Sequence, residues 1–250
     1  MIHARKNRID YGEQLIPPDG YTLDRAIGTT YSLDLETLMV LPVALFYSQT
    51  LEGSISQIRY DMLDSIINAS RKITVFYQKG QLKVPPNYHH LMAYWEKGIR
   101  EVLMPNYSQS FHPKVWAIRY VKKGDVTIYR LLVTSRNMTK SRDWDVAFST
   151  QGEVGEKEIR RNKPLIHFLE FLNENSKDKI DKTFMYDLLK VDFDLPDKFD
   201  KLEFQPIGVK DNDKKMYANP ISKTKWEFAF LIIKKNCVAS TPTSSNKSSR

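Results

Sequence analysis

The sequence predicts an α/β protein in which a mixed β-sheet is sandwiched by helices. Three stretches carry that expectation. Lys72 to Gln78 (KITVFYQ) is a β-branched and aromatic run of the kind found in strands covered on both faces. It directly follows Ser54 to Ala69 (SISQIRYDMLDSIINA), whose apolar residues at 55, 58, 62, 63, 66 and 67 recur at helical spacing. Further on, VWAIRYV, the polar break Lys122-Lys123-Gly124-Asp125 and VTIYRLLVTS read as a β-hairpin with Gly-Asp at its turn. Strands alternating with helices usually resolve into such a layered sandwich.

The remaining elements follow in chain order. Residues 1–20 are polar, with Pro17-Pro18 and Gly20 marking a loop. Tyr21 to Thr30 reads as a short strand ending in Gly28-Thr29-Thr30. Ser32 is the expected N-cap of an apolar helix from Leu33 to Tyr47, kinked at Pro42. Pro85-Pro86-Asn87 precedes an expected helix from about 88 to 102. After the hairpin, VAF at 146–148 is a third apolar segment on the way to Gly155. Helices are then expected over 156–175 and 181–190. Val191 to Pro206 stays ambiguous between edge strand and loop, and FAFLII at 228–233 reads as a strand. These shifts divide the chain into residues 1–155, an α/β unit, residues 156–237, a helical or α+β extension, and residues 238–250, a disordered Ser/Thr-rich tail.

Composition bounds the function. At 41% hydrophobic and 12% aromatic the chain is globular. A net charge of +8 and a pI near 9.3 favour polyanionic partners such as nucleic acid or an anionic membrane surface. The single cysteine, Cys237, excludes an internal disulfide framework and fits a reducing compartment. The longest apolar run, Leu38 to Tyr47, is broken by Pro42 and falls short of the ~18 residues that span a bilayer. The first residues lack the apolar core of a signal peptide. A cytoplasmic protein without integral membrane association is expected.

Chemistry concentrates between Phe111 and Phe148. In an extended chain, residues two apart share a face, so His112 and Lys114 project together. The second arm of the hairpin delivers Ser135 and Asn137, and Asp143-Trp144-Asp145 follows. A neutral imidazole is nucleophilic near pH 7. An ammonium and a carboxamide N–H stabilise the charge that develops on phosphoryl oxygens. A carboxylate on the second imidazole nitrogen fixes the tautomer, with Asp145 the first candidate and Asp143 the second. No metal or other cofactor is called for. Among the five histidines, only His112 has Lys two positions on. His89-His90 reads as surface or packing, and His167 as core.

The ordered His-x-Lys, Ser-x-Asn and acid resemble the half-site motif of the phospholipase D superfamily, H-x-K followed by G-S-x-N and an acidic residue. The matching residues are His112-Pro113-Lys114, Thr134-Ser135-Arg136-Asn137 and Asp145. The resemblance implies a metal-independent phosphodiesterase or nuclease in which His112 forms a phosphohistidine. Lys114 and Asn137 would then grip the phosphate, with Ser135 beside them. Two residues depart from the pattern: Arg119 stands where the phospholipase branch carries Asp, and Thr134 stands for the first Gly. Thr134, Asn137, Asp143 and Trp144 are more similar to the tyrosyl-DNA phosphodiesterase branch. That superfamily uses two His-Lys sets, and this sequence contains one. The resemblance therefore implies a homodimer, or a second half supplied elsewhere. The competing expectation is a catalytically incomplete nucleic-acid-binding or assembly subunit with half a site.

Overall fold

The computed structural model describes residues 13–39, 41, 55–87, 89–106, 109–140, 146–177, 179–195, 199, 201–217 and 231–234. Its centre is a seven-stranded mixed sheet in the order β5-β3-β1-β6-β7-β8-β9. The strands are β1 (Thr22–Thr30), β3 (Ile73–Gln78), β5 (Ile99–Val102), β6 (Val115–Val121), β7 (Ile128–Thr134), β8 (Ala147–Val154) and β9 (Val191–Phe193). Strands β5, β3 and β1 run parallel; from β1 through β6, β7 and β8 to β9 each neighbour is antiparallel. Two small sheets accompany it, β2 (Leu33–Asp34) with β4 (Leu82–Lys83) and β10 (Lys201–Phe204) with β11 (Leu231–Lys234). The helices are α1 (Leu35–Leu38), α2 (Ile55–Lys72), α3 (Lys163–Glu174) and α4 (Lys182–Leu189). Among the described residues, no helix is long and apolar enough to cross a membrane.

The period of two along each strand sends alternate side chains into two cores. Ile27, Phe76, Ala117, Tyr129 and Leu131 point to one face, where Leu165, Phe168 and Leu169 of α3 and Phe184 and Leu188 of α4 cover them. Val75, Tyr77, Trp116, Ile118, Tyr120 and Leu132 point to the other, against Leu35 and Leu38 of α1, Ala69 of α2 and Trp95. Both faces are thus apolar, and the sheet lies between helices as the sequence predicts.

Three local expectations are corrected. Ser32 does not cap a helix; Leu33 and Asp34 form the short strand β2, and the Asp34 carboxylate accepts from Glu36 N–H at 3.0 Å as the cap of α1. The rest of the helix expected up to Tyr47, with the Pro42 kink, lies outside the described residues. The helix expected over 88–102 is instead a 3-10 helix, His90–Lys97, followed by strand β5. At Gly98 a Cβ would stand 3.1 Å from both the Ile73 carbonyl oxygen and the Trp95 ring, so the chain turns there where a side chain would crowd. Ile99 and Val102 then fit the parallel ladder beside β3. The third correction is at 156–175, where the first turn is 3-10, Arg160–Asn162, before α3 begins. The ambiguous 191–206 segment contains β9 and β10, and the strand expected at 228–233 is described from Leu231 as β11. The tail at 238–250 lies outside the described residues.

One close approach shapes the end of the sheet that matters below. A Cβ at Gly28 would lie 2.8 Å from the Trp116 indole, which is 1% exposed and has no room to withdraw. Gly28→Ala is therefore expected to lower unfolding stability by about 1–3 kcal/mol, the usual cost of overpacking. Denaturant unfolding at constant slope measures it.

Candidate active site

Strand direction gathers the site. The C-terminal ends of β1, β3 and β7 and the N-terminal ends of β6 and β8 lie at one edge of the sheet, because β6 and β8 run opposite to their neighbours. That edge receives Thr30, Gln78, Lys114, Ser135 and Val146 from five strands.

The approach to β6 is a tethered, extended segment. Phe111 is fully buried, and its N–H donates to the Gln78 side-chain oxygen at 2.6 Å. At the other end, Val115 N–H donates to the Thr29 hydroxyl at 2.9 Å. Between these anchors Phe111, Pro113 and Lys114 are buried while His112 is exposed. Lys114 is 7% exposed, yet its ammonium folds back to the rim. Nζ donates to the His112 carbonyl at 3.0 Å and stands 3.0 Å from ring Nδ1 and 3.2 Å from Nε2. A neutral imidazole has one acceptor nitrogen, so only one of these ring contacts is a hydrogen bond at a time. The Tyr31 ring flanks the imidazole, with centroids 5.3 Å apart at 45°.

These surroundings tune both groups. Burial, and then the neighbouring Lys114 charge, hold the His112 imidazole below its ordinary 6.5. Burial brings the Lys114 ammonium down to about 8. No described carboxylate lies in ion-pair contact with Lys114. A buried cation whose described partners are a carbonyl and a neutral ring gains from an arriving anion.

The β7 end supplies the second half of the rim. Thr134 N–H donates to the Lys114 carbonyl at 2.9 Å, which continues the β6–β7 ladder to the site. Ser135 and Val146 close the mouth of the following loop: Ser135 N–H donates to Val146 O at 2.9 Å, and Val146 N–H donates to Ser135 Oγ at 2.9 Å. Asn137 is held against the end of β1, its Oδ1 lying 3.5 Å from Thr30 Oγ1. The Thr30 hydroxyl donates to Ser32 O at 2.8 Å and accepts from Met138 N–H at 3.0 Å, locking the two segments together. The Asn137 Nδ2 has no partner among the described residues.

His112 and Lys114 are therefore in direct contact, and Asn137 and Ser135 arrive at the same edge. Asp143, Trp144 and Asp145 lie outside the described residues. His89 is exposed and caps the 3-10 helix by accepting from Leu91 N–H at 3.2 Å. His167 is core, 9% exposed, with Nδ1 2.8 Å from the Tyr217 hydroxyl. Arg119 forms a structural tie, 2.6 Å from Asp24 and 3.1 Å from Asp187, joining β1, β6 and α4. Sequence reasoning assigned no part to Thr30, Tyr31 or Gln78. The only signal was that Thr30 and Gln78 end two well-formed strands, with Tyr31 next after the first. Among the described residues no group of three His, Cys, Asp or Glu side chains stands together as a metal site would.

No family model matches this chain, and no curated protein does. Two solved structures illustrate the likenesses found. A variant of yeast tyrosyl-DNA phosphodiesterase superposes on 72% of this chain at 16% identity, with a TM-score of 0.46. Polyphosphate kinase from Porphyromonas gingivalis covers 54% at 18% identity, with a TM-score of 0.26. This chain spans 36% of the first protein and 19% of the second. Neither likeness identifies a family.

Proposed function

We propose that the chain is a metal-independent phosphodiesterase in which His112 attacks phosphorus and Lys114 and Asn137 bind the phosphoryl oxygens. The observation that carries this reading is the contact of the buried Lys114 ammonium with the exposed His112 ring, 3.0 and 3.2 Å from its two nitrogens. An incoming phosphodiester replaces the ring as acceptor for Nζ and leaves the imidazole facing phosphorus. The imidazole nitrogen forms the N–P bond, the P–O ester bond breaks, and the departing oxygen takes a proton from an acid. Water then cleaves the N–P bond and restores the imidazole. Asp145, with Asp143 second, is assigned to the other ring nitrogen, where a carboxylate supports the imidazolium. Ser135 stands at the same rim, beside the phosphate. The net charge of +8 favours nucleic acid over lipid as the source of the diester.

The leaving-group acid is the second His-Lys set, supplied by a second copy across a two-fold axis or by another phospholipase D-type half. The presence of one set in these 250 residues also favours a second reading, a nucleic-acid-binding or assembly subunit that retains half a site. Hydrolysis of bis-p-nitrophenyl phosphate in EDTA, with light scattering on the same sample, decides between them. Turnover by a two-fold dimer supports the enzyme; no turnover with retained DNA binding supports the subunit.

The pH profile of kcat/KM is expected to be a bell. Attack needs neutral His112, whose value is lowered, so the acid limb falls below pH 6.5. With a p-nitrophenolate leaving group, which departs without an acid, phosphate binding still needs charged Lys114, so the rate falls again as pH rises through about 8. Lys114→Arg removes the alkaline limb near 8 if Lys114 causes it, since a guanidinium keeps its charge. An unchanged limb in that variant assigns it to another group.

A further inference from the structure

Of the four residues from Phe111 to Lys114, His112 alone is exposed, so core packing does not aim its ring. Two neighbours do. One is the backbone at Phe111, which carries the chain into His112. The other is the Tyr31 ring, whose centroid lies 5.3 Å from that of the imidazole. Both come from distant parts of the chain, and both are held by Gln78, the last residue of β3. The Gln78 backbone N–H donates to Tyr31 O at 3.2 Å, and its side-chain oxygen accepts from Phe111 N–H at 2.6 Å.

Gln78 is itself firmly placed. It pairs with Val102 in the parallel β3–β5 ladder, and Lys79 N–H beside it donates to Val102 O at 3.1 Å. Its own carbonyl closes the turn that follows, accepting from Gln81 N–H at 3.0 Å. Gly80, at φ 80°, stands third in that turn, where a left-handed residue is required. A group carried on a strand and a closed turn holds its partners with little play. The Phe111 bond also fixes the carboxamide: a donated N–H needs an acceptor, so Gln78 presents its oxygen there. Phe111 is 0% exposed, so without that oxygen the segment must shift for its N–H to find another partner.

We propose that Gln78 is a positioning residue for His112, its carboxamide oxygen holding the imidazole between Lys114 and Tyr31 in the orientation that attack on phosphorus needs. This role rests on the reading of His112 as the nucleophile. Gln78 acts through Phe111 and Tyr31 rather than on the reacting atoms. Its loss should therefore fall on kcat, because misplacing an attacking group by about 1 Å costs on the order of 10²-fold in rate. A side-chain substitution cuts the Phe111 link and leaves the Tyr31 link, which the backbone makes. The imidazole should then move relative to the Tyr31 ring, and the ring current of Tyr31 reports that movement directly.

The test uses the full chain and two readouts. One is the ring-proton resonance of His112, assigned by its absence from His112→Ala. The other is turnover of bis-p-nitrophenyl phosphate, normalised to folded protein. Gln78→Met keeps the stem but offers only a weak acceptor. It should move the His112 resonance toward that of a free histidine and lower kcat about tenfold to a hundredfold, with KM within about threefold. Gln78→Asn, whose oxygen stops one methylene short, should give a smaller change in both and serves if the Met variant fails to fold. Gln78→Glu restores an oxygen acceptor and should recover the resonance and kcat, any repulsion of the anionic substrate reading in KM. Tyr129→Phe removes a buried hydrogen bond of 2.9 Å to Phe184 O and controls for a general loss of stability. It should leave the His112 resonance and kcat as they were. The proposal is overturned if the Met and Asn variants leave the resonance unmoved, if they raise only KM, or if Tyr129→Phe produces the same changes. Turnover retained by His112→Ala removes the nucleophile itself, and this role with it. An inactive His112→Ala beside a fully active Gln78→Met removes the positioning role alone.

Discussion

Replacing His112 with alanine is expected to abolish phosphodiester turnover while leaving the fold intact. The imidazole is exposed, and its described contacts are the Lys114 ammonium and the tilted ring of Tyr31. The segment is held by other groups: buried Phe111 on Gln78, and Val115 on Thr29. Losing a covalent catalyst typically costs several orders of magnitude in rate. Activity within about tenfold of the parent would remove His112 from the mechanism as its nucleophile.

Lys114→Met is expected to reduce kcat by about 10²–10³, the usual cost of losing one donor to a developing oxyanion, and to leave stability unchanged or higher. The two halves of that expectation have one cause. Lys114 is 7% exposed, and burial alone draws its ammonium down to about 8, so the fold disfavours its charge. An unbranched thioether fills much of the space without that cost. A variant that is less active but equally stable shows a charge held for binding an anion. A variant that loses stability in step with activity shows a structural ammonium. Asn137→Ala should follow the same kinetic pattern, because Thr30 fixes the backbone of Met138 independently of the carboxamide. If both variants raise only KM, these side chains are docking contacts.

The sheet was legible in the sequence where period and propensity agreed. Lys72–Gln78, the hairpin and the Asp181-capped helix all emerge close to their expected bounds. Failures occurred where two good local signals competed. Ser32 and Asp34 are both sound N-cap residues, and only the pairing of Leu33 with Leu82, some fifty residues on, decides for Asp34. The 88–102 stretch has helical apolar spacing, but the 3-10 helix ends at Gly98, which packs tightly over Ile73 and Trp95.

The site divided along the same line. His112-x-Lys114 could be read because its geometry is local: alternate residues of an extended chain share a side. Thr30, Tyr31 and Gln78 could not, because parallel β1 and β3 bring them to the rim from distant positions.

The most direct test of the His112 assignment is to trap its covalent adduct. The full chain is mixed with bis-p-nitrophenyl phosphate, quenched in alkali, where a phosphorylated imidazole survives, and mapped by peptide mass spectrometry. A p-nitrophenylphosphoryl group on the peptide containing His112, absent from His112→Ala, is the expected result. Continued turnover with the adduct on another residue, or with no adduct at any time before steady state, would contradict it.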